Sequence, residues 1–250
     1  MRKSVLLVLV CAAAMLPSTA RAQFVPVEGK VIVTANVGIQ TGGGDLERNS
    51  TFDLYDEQAS VDVAQEINGG GFFEVGAQYK INKQFGVGLT YGYLSSKGDG
   101  TVSGSLPHPL FFDSPRAFTA GASDLSRKEN AWHFQAVYYI PFTEKVDFAV
   151  SGGPSLFNVK QQLIRNVNFS ENPPAFTSVT IDSVDIVEPT DSGWGFNLGA
   201  DMTYALTGRL GVGAILRYSW ANVEFNLSDT QTADVKAGGF QIGGGVRYRF

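Results

Sequence analysis

GWGFNLGADMTYAL, residues 193–206, alternates without a break. Trp194, Phe196, Leu198, Ala200, Met202, Tyr204 and Leu206 take every second place, with Gly195, Asn197, Gly199, Asp201 and Thr203 between them. Successive side chains of a strand point to opposite faces, so the segment reads as a strand with one apolar face and one small or polar face. Only Thr207 and Gly208 separate it from RLGVGAILRYSW (209–220), where Leu210, Val212, Ala214, Leu216, Tyr218 and Trp220 oppose Gly211, Gly213, Arg217 and Ser219. The two form a hairpin whose apolar face is aromatic at its ends and aliphatic in its middle.

The same pattern recurs in KVIVTANVGIQT (30–41), GFFEVGAQYKI (71–81), QFGVGLTYGYL (84–94), AWHFQAVYYIP (131–141), VDFAVSGGPSL (146–156) and GFQIGGGVRYRF (239–250). Each of the eight segments is close to the ~9–11 residues that a tilted strand needs to cross a bilayer. Their connectors alternate in length. Short turns lie at Asn82–Gln84, Phe142–Lys145 and Thr207–Gly208, and long polar stretches at 42–69, 97–128, 160–191 and 221–237. Short turns at one end and long loops at the other are the habit of outer-membrane barrels. The outward aromatics fall at the crossing ends, as an aromatic girdle requires, and Trp132, Trp194 and Trp220 all fall at the long-loop end.

The first residues belong to a different problem. MRKSVLLVLVCAAAMLPSTARA (1–22) has a basic start, an apolar stretch and a small-x-small ending, which reads as a cleaved signal peptide. The apolar stretch is too short for a membrane anchor. The chain's single cysteine, Cys11, lies inside it, so the exported domain (23–250) has no disulfide to stabilise it. Loss of Arg2, Lys3 and Arg21 takes the formal net charge from −5 to −8, which argues against nucleic acid as a partner.

A soluble β-sandwich also alternates, but signal, girdles, unequal connectors and lack of cysteine together select a membrane barrel. The expected fold is all-β: an eight-stranded antiparallel up-and-down transmembrane β-barrel with long extracellular loops. The last residues, Val246, Tyr248 and Phe250, resemble the terminal signal of outer-membrane barrels. From about residue 30 onward the chain resembles the small eight-stranded family that includes the OmpA membrane domain, OmpX and OmpW. The resemblance implies a bacterial outer-membrane location, insertion by the barrel-assembly machinery, and contact with outer-membrane lipid and lipopolysaccharide. It departs from full-length OmpA, since no peptidoglycan-binding segment follows the final strand.

The inward face carries Glu74, Lys80, His133, Asp147, Asp201, Arg217, Arg247 and Arg249, expected to form a polar network filling a narrow lumen. Its many glycines either leave room for water or let the strands coil tightly. No catalytic, cofactor-binding or metal site is expected: His108 and His133 are the only histidines, with no visible nucleophile pairing. The expected function is non-enzymatic, structural or surface-interacting, carried by the loops of a monomer whose extracellular ligand the sequence does not name. The alternative is a small channel for ions or small solutes. TSVTIDSVDIV (177–187) alternates weakly and reads as a hairpin standing above the membrane rather than a ninth and tenth crossing.

Overall fold

The structure, a computed structural model, describes residues 29–42, 44–228 and 231–250; the signal segment expected at 1–22 lies outside them. There are twelve strands: β1 (Val31–Gln40), β2 (Gly44–Leu54), β3 (Glu57–Ile67), β4 (Gly70–Lys80), β5 (Phe85–Leu106), β6 (Arg116–Pro141), β7 (Val146–Gln161), β8 (Leu163–Glu171), β9 (Val179–Val187), β10 (Thr190–Ala205), β11 (Leu210–Ser228) and β12 (Gln231–Arg249). Eight of them close a ring in the order β1-β4-β5-β6-β7-β10-β11-β12, every pairing antiparallel. Closure is made where Ile32 of β1 faces Arg249 of β12 and the Phe250 amide donates to the Val31 carbonyl. A closed ring leaves no backbone edge unpaired in lipid.

The three short turns share one local device. Asn82 Oδ1 accepts the amides of Gln84 and Phe85, Thr143 Oγ1 those of Lys145 and Val146, and Thr207 Oγ1 those of Arg209 and Leu210. A side-chain oxygen that caps the amides two and three residues on stabilises a tight reversal.

The long connectors are not loops. β5 and β6 run 22 and 26 residues, far beyond a membrane crossing, and β11 and β12 run 19 each. Residues 44–67 form the hairpin β2–β3, and residues 163–187 the hairpin β8–β9. Where β4 ends, β3 takes its place against β5, pairing Ser60–Gln65 with Gly100–Ser105. The expected hairpin above the membrane is therefore present, and the other connectors, read as polar loops, are continuations of the barrel wall.

One strand shows why the wall changes solvent. On β11, Val212, Ala214, Leu216, Tyr218 and Trp220 point outward, and then Asn222, Glu224 and Asn226. The inward positions change the opposite way at the same height, from Arg217 and Ser219 to buried Ala221, Val223 and Phe225. The neighbouring strand does likewise: Phe240 and Ile242 are exposed beside Trp220's level, whereas Ala233, Val235 and Ala237 are buried further out. Ten steps from Leu210 to Trp220 rise ~33 Å along a strand, or about 25 Å at a 40° tilt, the height of an outer-membrane apolar band. Below Trp220 the barrel is apolar outside and polar inside. Above it, the same strands enclose an apolar core as a soluble protein does.

Candidate functional site

The lumen is built from side chains of strands distant in sequence. At the short-turn end Arg249 pairs with Asp147, and the next layer pairs Arg247 with Asp201. Above them Arg217 pairs with Glu74, both buried. Asn36 joins the last two pairs: its Nδ2 donates to Glu74 Oε1 at 2.8 Å and its Oδ1 accepts Arg247 Nη1 at 2.6 Å. Lys80 carries no ion pair among the described residues and lies 4.6 Å from the centroid of the Tyr139 ring. The sequence reading had placed every charged member of this layer on the inward face, and had not singled out Asn36.

Several inward glycines stand directly against large side chains. A Cβ on Gly213 would sit 2.7 Å from Arg247 Nε, and one on Gly38 or Gly243 would meet the Phe72 ring at 2.7 or 2.9 Å. The glycines therefore make room for large side chains reaching across the lumen. Gly213→Val is expected to dislodge Arg247 from Asp201 and cost about 1–3 kcal/mol, measured as a lower urea midpoint for the folded barrel.

Two further polar layers lie toward the long-loop end. Gln135 donates to Ser151 and to Asn197, and Thr90 donates to Gln135. His133 Nδ1 lies 2.8 Å from Ser155 Oγ, which also accepts the Asn197 amide at 2.8 Å. This histidine–serine pair was missed by sequence reading because the two residues meet only across the β6–β7 register. His133 is 1% and Ser155 0% exposed, and the edge of the Phe157 ring closes over the imidazole. In this state no substrate atom reaches the hydroxyl. The uppermost polar layer pairs Arg127 with Glu129 at 2.8 Å, and Glu129 accepts the Gly238 amide and the Gln40 side chain. Arg127 falls in the polar connector 97–128 of the sequence and Glu129 just beyond it, yet both lie within β6.

Over these layers lies the apolar core of Phe157, Val159, Leu163, Val223, Phe225 and Val235. A second cluster, Val63, Val102, Leu106, Phe118, Leu125 and Ile164, extends it outward. The outward face of the crossing region carries exposed aromatics. Trp132, Trp194 and Trp220 are all exposed, at one height: Trp132 and Trp194 both register with Leu156, and Phe196 faces Trp220. Toward the other end, Tyr138, Tyr204, Tyr248 and Phe250 are exposed.

A polar-cored ring with an apolar, aromatic-bordered exterior matches a known family model, described as outer membrane protein beta-barrel domain, over residues 4–250. The chain belongs to the outer membrane protein beta-barrel family. Its site is the bacterial outer membrane. No curated protein matches its sequence. Among solved structures it is similar to OprG from Pseudomonas aeruginosa, with 10% identity and a TM-score of 0.50 over 89% of this chain and 96% of that one. It is also similar to Neisserial surface protein A, at 13% identity and TM-score 0.47 over 88% of this chain and 97% of that one. A third is Ail of Yersinia pestis, at 12% identity and TM-score 0.38 over 89% and 100%. At these identities the likeness speaks to the fold alone.

This outer-membrane barrel carries its extension as an ordered body. At its apex the turn between β5 and β6 is held by Arg116, which pairs with Glu171 and donates to the Pro107 and Phe176 carbonyls. His108 accepts the Leu110 amide at 3.1 Å, and its ring lies tilted against that of Phe111, with centroids 4.9 Å apart. Leu110, Phe111 and Phe112 are nevertheless 62%, 62% and 72% exposed. Among the described residues no group of three or more His, Cys, Asp or Glu is placed to hold a metal ion.

Burial pushes the Glu171 carboxyl up, but the hydrogen bonds from Arg116 and Tyr55 outweigh it and leave the group below its ordinary 4.5. A depressed carboxylate stabilises the fold fully above the ordinary value, and that contribution is lost as pH falls through the lower folded value. Limited proteolysis of β8–β9 is therefore expected to accelerate only below pH 4.5, and Glu171→Gln to remove that acid step.

Proposed function

We propose that this is a non-conducting, non-enzymatic protein of the outer membrane, acting through the folded extension, which faces out of the cell. The observation that carries the reading is the double closure of the lumen. A migrating ion would have to displace three lumen arginines from their carboxylates and then cross an apolar layer containing Phe157, Val159, Val223 and Phe225. An ion loses its hydration in such a layer without gaining a partner. An eight-stranded ring has an interior only wide enough for its own side chains.

On this reading the short turns face the periplasm, and outer-membrane lipid and lipopolysaccharide surround the girdled band. The working surface is the apex, where Leu110, Phe111 and Phe112 are presented on a braced turn. Exposed apolar residues grouped in this way mark interaction sites. The protein acts as a monomer, because its ring leaves no membrane strand unpaired. Val246, Tyr248 and Phe250 serve the barrel-assembly machinery, and deleting Phe250 is expected to reduce the folded, heat-modifiable protein recovered from outer membranes. Full recovery would count against that role.

Planar-bilayer recording tests the central part. Purified refolded protein is expected to give no steady single-channel steps. Reproducible steps that disappear with the protein would overturn the reading in favour of a small channel.

A further inference from the structure

Hairpin β2–β3, hairpin β8–β9 and the outer parts of β5 and β6 line a partly open cavity of about 130 Å³. Its walls are mainly apolar, with Val63, Leu106, Phe118, Ile164 and Phe169 among them, yet two guanidinium groups also line it, Arg48 from β2 and Arg165 from β8. The two arginines are in different states. Arg165 is neutralised by Asp185, which accepts its Nε at 2.9 Å and its Nη2 at 2.6 Å. Arg48 pairs with no carboxylate among the described residues. Its Nη2 donates to the Ile164 carbonyl, and its Nε is buried with no acceptor at all.

The lack of a partner does not reflect a shortage of acids. The same hairpin carries Asp45, Glu47, Asp53, Asp62 and Glu66, and none of them forms a salt bridge with Arg48. A guanidinium donor shut away from water without an acceptor is costly to keep. An anion entering the cavity would bring the opposite charge beside the Arg48 guanidinium, while the apolar walls reject an ion with no hydrocarbon part. The available volume sets the size. A dry apolar cavity of ~150 Å³ takes benzene, so a space slightly smaller than that holds a single ring or a short chain.

We propose that this cavity binds a small amphipathic monocarboxylate of about the size of benzoate. Its carboxylate accepts from the Arg48 guanidinium, and its hydrocarbon part packs against Val63, Leu106, Phe118 and Ile164. The site lies in the extension and does not depend on whether the lumen conducts.

The test is titration of benzoate into full-length protein in lipid nanodiscs, read by calorimetry with empty nanodiscs as the reference. Saturable one-to-one binding is expected. Benzyl alcohol, which keeps the ring and lacks the charge, is expected to bind about tenfold or more weakly, as is benzoate to Arg48→Met, because a charge-assisted hydrogen bond is lost in each case. Absence of saturation, equal binding of the alcohol, or undiminished binding to folded Arg48→Met would overturn the proposal. Competition by sulfate as strong as by benzoate would also overturn it, since that marks a general anion site. The comparison of acid with alcohol needs no variant and holds even where Arg48→Met fails to fold.

Discussion

Arg217→Met is expected to destabilise the barrel by about 3–5 kcal/mol, the cost of leaving one member of a buried ion pair alone. Glu74 would keep only the Asn36 amide as a partner, and it has almost no access to water. The pair also joins β4 to β11, 143 residues apart in sequence and separated in the ring by β1 and β12, so its loss removes a tie inside the lumen. The double variant Glu74→Gln/Arg217→Met is expected to recover most of the loss, because no buried charge is then unpaired. Urea unfolding of protein reconstituted in vesicles measures both. A loss under about 1 kcal/mol for the single variant, or no recovery in the double, would show that the pair is an incidental contact.

Val223→Asp is expected to open the extension while sparing the membrane band. Val223 is fully buried in the apolar core, where an unpaired carboxylate costs several kcal/mol. The membrane-level ring has its own polar ties and its own lipid-facing surface, so heat-modifiable migration should persist. Protease should then cut within β11 and β12 beyond Trp220, where the parent protein resists. Asn222→Asp, one residue away and pointing outward, is expected to change nothing beyond about 0.5 kcal/mol. Equal resistance of Val223→Asp and the parent would mean that the extension does not depend on that core.

These two variants also mark how far the sequence could be read. The membrane crossings were legible because lipid imposes one rule on the outward face: large apolar side chains at every second place. Beyond Trp220 the alternation continues in Ala221, Val223 and Phe225 against Asn222, Glu224 and Asn226. Its polar members are typical of loops, and the buried side has changed from polar to apolar, so the segment does not resemble the crossings it extends. The lumen charges were legible one by one from strand parity. Their partners were not, because pairing Glu74 with Arg217 or Asp201 with Arg247 requires the ring to be closed first. Asn36 was obscured by the apolar face of its own strand, and the meeting of His133 with Ser155 by the register between β6 and β7. The cavity beside Arg48 depends on two hairpins folding toward each other, which no local pattern announces.

The central claim is that the barrel wall continues above the tryptophan level as a folded, apolar-cored body that seals the lumen. Amide hydrogen exchange of the protein in lipid vesicles, resolved by peptide, tests this most directly. Amides of residues 222–225 and 233–236 are expected to be protected nearly as well as those of 211–219 within the membrane. Exchange of those outer segments within seconds, at the rate of unstructured chain, would contradict the claim.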